Sequence, residues 1–206
     1  MRGVVLVVLV ACTSHRPVKP APMPERAPAN ALRTVASFAV IVDPAARSEA
    51  LFGEISRVLT HPRCVNCHPA DDSPRQGDLH AMHDPPVVRG AAGRGIPALQ
   101  CAGCHQDRNI ELARVPGAPD WHLAPKQMVW LDRTPGQICA QLKDPANNGG
   151  RSLAQIHEHL AHDAIVAWGW APGGARAPAP GTQAELAALF QAWIETGAVC
   201  PREVVK

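Results

Sequence analysis

Two pentapeptides, Cys64-Val65-Asn66-Cys67-His68 and Cys101-Ala102-Gly103-Cys104-His105, constrain this chain more than any other feature. Each is Cys-x-x-Cys-His, the attachment pattern of a c-type haem. Its two thiols add across the two vinyl groups of one porphyrin, and the adjoining His then lies under the iron as proximal ligand. Cys64, Cys67, Cys101 and Cys104 are therefore read as attachment residues, and His68 and His105 as metal ligands, for two covalently bound c-type haems. Zinc is the alternative, with the four cysteines as two knuckles of one tetrahedral site. The gap between the pairs exceeds the usual ribbon spacing, and zinc does not require a His after each second Cys. Disulfides within each Cys-x-x-Cys are a third reading.

The charge balance excludes one class of partner. There are 20 basic and 18 acidic residues, a formal net charge of +2. With no Lys/Arg runs, no Tyr and three Phe, the chain lacks the basic stripe and stacking aromatics of a nucleic-acid binder. Haem propionates would make the loaded protein more acidic. Low aromatic content fits a domain whose large flat apolar objects are porphyrins, and it equally fits compositional bias.

The N-terminus reads as an export signal. The apolar run Gly3 to Ala11 follows Arg2 and is too short to span a bilayer. Leu9-Val10-Ala11-Cys12 resembles a bacterial lipobox, which implies a signal peptide over 1–11 and acylation of Cys12. Thr13 in the next place implies the outer rather than the inner membrane. The alternative is an ordinary secretory signal with an incidental Cys. Residues 12–44, rich in Pro and Ala, read as a lipidated Cys and an extended tether. Residues 45–206 read as one domain, facing the periplasm, with the membrane reached only through the lipid.

Of seven Cys, Cys139 and Cys200 remain after the lipid and the haem motifs are served. In an oxidising compartment they form a candidate disulfide tying the end of the chain to its middle. Two buried free thiols are the alternative.

The fold class read from the pattern is mainly α, with long loops. Asp43-Pro44 is an N-cap followed by Pro at the first helical position, opening a helix to about Thr60. Leu51, Phe52, Ile55, Val58 and Leu59 form its apolar face. Residues 69–100 and 106–135 are loop-like, and a short helix is expected over 136–142. Ser152 and Gln155 form a capping box at the head of a helix from Leu153 to about His162. Thr182 caps a last helix, about 183–196, which Gly197 ends.

Each iron needs a group opposite its proximal His. The candidates are His61, His80, Met82, His83, His122, Met128, His157, His159 and His162. His83 lies in a Pro-fixed loop after the first motif, and His162 lies near a helix end. These two are the expected distal ligands, with His122 and Met128 in reserve. Trp121, Trp168 and Trp170 are expected either to pad haem edges or to pack in the core.

Several strings carry a resemblance: Leu59-Thr60-His61-Pro62-Arg63-Cys64, Trp121-His122-Leu123-Ala124-Pro125, Gln141-Leu142-Lys143-Asp144-Pro145, Asn148-Gly149-Gly150-Arg151 and Trp168-Gly169-Trp170. Over about residues 50–203 the chain resembles small bacterial dihaem c-type cytochromes labelled as an isoquinoline 1-oxidoreductase subunit. The resemblance implies a cytochrome c-like domain that accepts electrons from a molybdenum hydroxylase, as a non-catalytic oxidoreductase subunit feeding a respiratory chain. Trp193-Ile194-Glu195-Thr196-Gly197-Ala198 also resembles the last helix of many cytochrome c domains. The chain has no plant-type iron–sulfur spacing. The rival expectation is a dihaem peroxidase or reductase with one open iron.

Overall fold

A computed structural model describes residues 27–202, together with Met23 and Glu25. The expected signal segment and Cys12 lie outside the described residues. Helix α1, Pro44–Leu59, starts where Asp43 accepts the backbone N–H of Ala46 at 2.8 Å. It buries Leu51, Phe52, Ile55, Val58 and Leu59, the face read from the sequence. After one turn comes α2, Pro62–Val65, a four-residue helix that carries Cys64. His61 caps it by accepting the Arg63 N–H on its own Nδ1.

Helix α3, Pro135–Lys143, and helix α4, Leu153–His162, each begin with a complete capping box, Thr134/Gln137 and Ser152/Gln155. A short α5, Ala164–Ala167, runs into a 3-10 turn, Trp168–Trp170. Helix α6, Gln183–Glu195, is capped by Thr182 and packs against both α1 and α4. Its Trp193 is fully buried, with ring centres 5.0 Å from Phe52 and 5.1 Å from Phe190. Burying each such side chain contributes about 2–3 kcal/mol, so this aromatic knot fixes α6 on α1 more firmly than any single hydrogen bond. The chain is thus mainly α, as expected.

The two expected loops behave differently from coil without anchors. Residues 66–134 hold no α-helix, only two short antiparallel hairpins, β1 Arg75–Gln76 with β2 Ala81–Met82 and β3 Gly95–Ile96 with β4 Leu99–Gln100, and three 3-10 turns, Ala91–Gly93, Cys101–Gly103 and Glu111–Ala113. The loop backbone bonds instead to the two motifs. Arg75 N–H donates to the Asn66 carbonyl, Ala124 N–H to Cys67, and Trp130 and Leu131 N–H to His68, all within 3.2 Å. Cys101 N–H donates to Arg94 at 3.0 Å. The loops are wound around the motifs, which answers the demand that backbone polar groups be paired.

The tether boundary at 44 moves. From Leu32 onward the chain is part of the domain: Leu32, Phe38 and Ile41 are buried in the main core around a 3-10 helix, Val35–Val40. An ion-pair cluster fastens this segment. Glu54, almost fully buried, receives Arg33 Nε at 2.6 Å and Arg57 Nη1 at 2.5 Å. The apolar run 38–42 is too short to mark an element by its period and follows closely on the Pro- and Ala-rich stretch.

Cys139 and Cys200 form a disulfide with Cα atoms 5.5 Å apart. It joins α3 to the segment after α6.

Candidate functional site

The two pentapeptides lie on tight turns. Both have the backbone folded back at the His: His68 N–H donates to the Val65 carbonyl at 3.0 Å and His105 N–H to Cys101 at 2.8 Å. Each turn delivers its His to the same surroundings. His68 Nδ1–H donates to the Met128 carbonyl at 3.0 Å, and the ring lies flat on Trp130, with centroids 3.5 Å apart and planes 3° apart. His105 Nδ1–H donates to the Pro116 carbonyl at 2.7 Å, and its ring stacks on Trp121 at 4.7 Å and 8°. A carbonyl can only accept, so each ring carries its proton on Nδ1 and presents an unprotonated Nε2. This is how a metal-binding His is held in one tautomer and one orientation.

Electrostatics favours the same state. Burial pushes His68 down to about 3, against the smaller opposing effect of its bond to Met128. Burial also lowers His105, again opposed by its carbonyl partner. Both are neutral imidazoles at neutral pH, the form that ligates.

The four motif cysteines carry free thiols, so neither Cys-x-x-Cys is closed as a disulfide. Burial raises Cys64 to about 12 and Cys67 to about 11. Burial raises Cys101 as well. Among the described residues no group of three or more His, Cys, Asp or Glu is placed to hold a metal ion. The four cysteines therefore do not converge on the tetrahedral set that the zinc reading requires.

Two cavities adjoin the motifs. The larger, about 660 Å³, is lined by Cys101, Cys104 and His105, with Cys67 at its inner wall. It lies in the range of pockets that enclose a large cofactor. The smaller, about 80 Å³, lies between Cys64, Cys67 and His68 on one side and α4 on the other. Five residues line both: Arg63, Cys67, Trp121, His122 and Trp168. The second motif thus fits a macrocycle in donors and in space. At the first motif the donors are in place but the cavity is a fraction of the larger one, and its walls must part to admit a ring of that size.

The distal candidates separate cleanly. His83 lines the large cavity, its Nδ1–H donating to the Pro85 carbonyl at 2.8 Å. Its ring centre is 5.9 Å from that of His105. The two ring planes stand 64° apart, so His83 meets His105 edge to face. His162 is placed differently from the expectation. It is 73% exposed, faces Glu158 at 3.6 Å and lines neither cavity. His159, one turn earlier on α4, lines the small cavity with His68, and its Nδ1 is held by Asp163. Burial lowers His159, against the raising effect of Asp163. Met128 is buried in the main core and serves through its carbonyl, not its sulfur. His122 lines both cavities, its Nδ1–H donating to the Asp120 carbonyl. His61, His80, Met82 and His157 line neither.

Trp121 and Trp168 stand in the wall between the cavities, edge to face at 4.9 Å. Trp170 packs instead against the core, its Nε1–H donating to Pro180 at 3.1 Å. Asn109 is a site residue that the sequence did not signal. It accepts the Trp168 Nε1–H at 2.9 Å and the Gly117 N–H at 3.0 Å, and donates to the Ala171 carbonyl at 3.0 Å. It thereby ties the dividing wall to the Pro116 loop that orients His105. Gly117 itself packs against the carbonyls of Gln106 and Arg108, where a Cβ would sit 2.3 Å from oxygen.

The chain matches no family model, no curated protein and no solved structure.

Proposed function

We propose that this chain is an exported, lipid-anchored dihaem c-type cytochrome that carries electrons across the periplasm. The observation that carries the proposal is the duplicated seating of the motif histidines. Each has Nδ1 bound to a backbone carbonyl and its face on a Trp, leaving a neutral Nε2. Nothing in the cysteine spacing alone demands that arrangement. The Nδ1 bond is what fixes the tautomer and orientation of a metal-binding His.

Each haem, when bound, supplies one iron that takes up and releases a single electron. The chain's residues do the rest. Cys64 with Cys67, and Cys101 with Cys104, anchor the rings as thioethers. The apolar surroundings that hold these thiols neutral suit an uncharged thioether better than a zinc thiolate. His68 and His105 orient the irons. His83, which lines the large cavity with His105, and His159, which lines the small cavity with His68, would serve as second ligands in preference to His162. Trp121 and Trp168 exclude water from the wall that the two sites share. A cytochrome c-like arrangement of α1 and α6 belongs to the same proposal.

The donor of the electrons is proposed from the family resemblance: a molybdenum hydroxylase working outside the cytoplasm, with a respiratory chain as acceptor. Two one-electron sites match the two electrons of one hydroxylation. Stopped-flow mixing of oxidised protein with the reduced partner tests this. Haem reduction within the partner's turnover time is expected, with no turnover of N-heterocycles or aldehydes by the cytochrome alone. No reduction rejects this donor, and consumption of peroxide by the isolated protein rejects the non-catalytic role.

A further inference from the structure

Arg63 stands where an uncompensated charge is costly. Its side chain is 1% exposed. It is one of the few residues lining both cavities, and it directly precedes the first attachment Cys. Its guanidinium lies over Trp168, 6.0 Å from the ring centroid. The fork offers five N–H donors, yet only Nη2 is engaged, by Asp78, whose carboxylate is itself half-exposed. Nε is buried and has no acceptor. A buried donor of a charged group left unpaired is costly, so the position asks for a further acceptor.

Its neighbours do not supply one. His61, Arg176 and the thiols of Cys64 and Cys67 are the other titratable or charged groups around it, and Asp78 is the one carboxylate among them. Arg89 is the parallel on the large cavity: its Nε is likewise buried without a hydrogen-bond acceptor, although an Asp72 oxygen lies 3.4 Å away, and its Nη1 donates to the Ala124 carbonyl. Arg63, unlike Arg89, lines both cavities and directly precedes the first attachment Cys.

We infer that Arg63 is the anchor for a carboxylate of the bound macrocycle, a propionate, held in the wall common to the two sites. The inference rests on the dihaem reading. The planar fork matches a carboxylate through two parallel hydrogen bonds, and an Arg does this where a Lys offers only a point charge. Arg63 is a positioning residue: it would hold the ring about its thioether bonds, and it places one positive charge in the wall that the two cavities share. That charge disfavours the oxidised, more positive iron.

The test uses the full-length holoprotein and two variants, Arg63→Gln and Arg63→Lys. Haem content by mass is measured first, because it reports on the dihaem reading separately from this one. With two haems retained, R63Q is expected to have a lower midpoint potential at one or both haems, while R63K returns most of the shift. In the reduced, diamagnetic wild-type protein, the Arg63 Nε–H is expected as a slowly exchanging NMR resonance moved by the porphyrin ring current. Equal potentials in R63Q and wild type overturn the inference, and so do equal shifts in R63Q and R63K, which would mark a packing role. If the variants fail to accumulate, the wild-type resonance decides: rapid exchange with water, or no ring-current shift, overturns it. Wild-type protein without haem overturns the dihaem reading and this inference together.

Discussion

Replacing both Cys139 and Cys200 by Ala removes the one covalent cross-link among the described residues. The bridge spans a sequence separation of 61. Closing a loop of that length removes chain entropy from the unfolded state worth about 4 kcal/mol. The native geometry has independent support. The Val199 N–H donates to Ser48 Oγ at 2.9 Å, and its carbonyl accepts Trp193 Nε1–H at 3.0 Å. The Lys143 ammonium donates to the Ala198 carbonyl at 2.7 Å. The segment after α6 should therefore stay in place, and the loss should come from the unfolded chain. In a domain of this size about 1 kcal/mol moves Tm by roughly 2–4 °C, so C139A/C200A is expected to melt about 10–15 °C lower. Urea unfolding followed by far-ultraviolet circular dichroism measures the change. The slope with denaturant should rise, because the unlinked chain exposes more surface. A stability change under about 1 kcal/mol, with wild type shown to be oxidised, would refute the chain-entropy reasoning.

Glu54→Gln keeps the shape of the Arg33 and Arg57 contacts and loses their charge, which is expected to cost about 1–3 kcal/mol. Burial raises the Glu54 carboxyl, but the bonds from Arg33 and Arg57 outweigh that and hold it below its ordinary value of 4.5. Its stabilisation is therefore complete above that value and lost as pH falls through the lower folded-state value. The gap between wild type and E54Q should be constant at neutral pH and close on acidification; a gap that widens in acid contradicts the sign. His83→Ala and His159→Ala should each convert one haem to a high-spin form open to carbon monoxide, read by optical and EPR spectra, whereas His162→Ala should leave both unchanged. A spectral change in the last variant alone would reverse the assignment of α4. Gly117→Ala should displace the Pro116 loop and broaden the signals of the His105 site while sparing those of the His68 site; equal effects on both would contradict the route through Pro116.

The regular structure was legible because its signals are local. Asp43-Pro44, Ser152 with Gln155 and Thr182 each place a side-chain acceptor at a helix start, and the three helices begin there. What the sequence hid was non-local. The carbonyls of Met128 and Pro116 hold the motif histidines, yet any residue has a carbonyl, so no letter marks them. Asn109 works across roughly sixty residues of chain, to Trp168 and Ala171, and its neighbourhood reads as an ordinary loop. The run that holds Phe38 and Ile41 is too short to mark an element by its period, and with Leu32 it was absorbed into the tether. The choice between His159 and His162 was available in principle. At about 100° per residue, the apolar face of α4 set by Leu153, Ile156 and Leu160 lies roughly 90° from His159 and roughly 150° from His162. That arithmetic turns His162 to solvent, as found.

The central claim is two covalent haems on one chain, and it is tested most directly by intact mass after acid–acetone extraction, with peptide mapping of the retained groups. The account predicts two haems resistant to extraction, one on Cys64 and Cys67 and one on Cys101 and Cys104. Retention of one haem or none, or four free thiols in the mature exported protein, contradicts it.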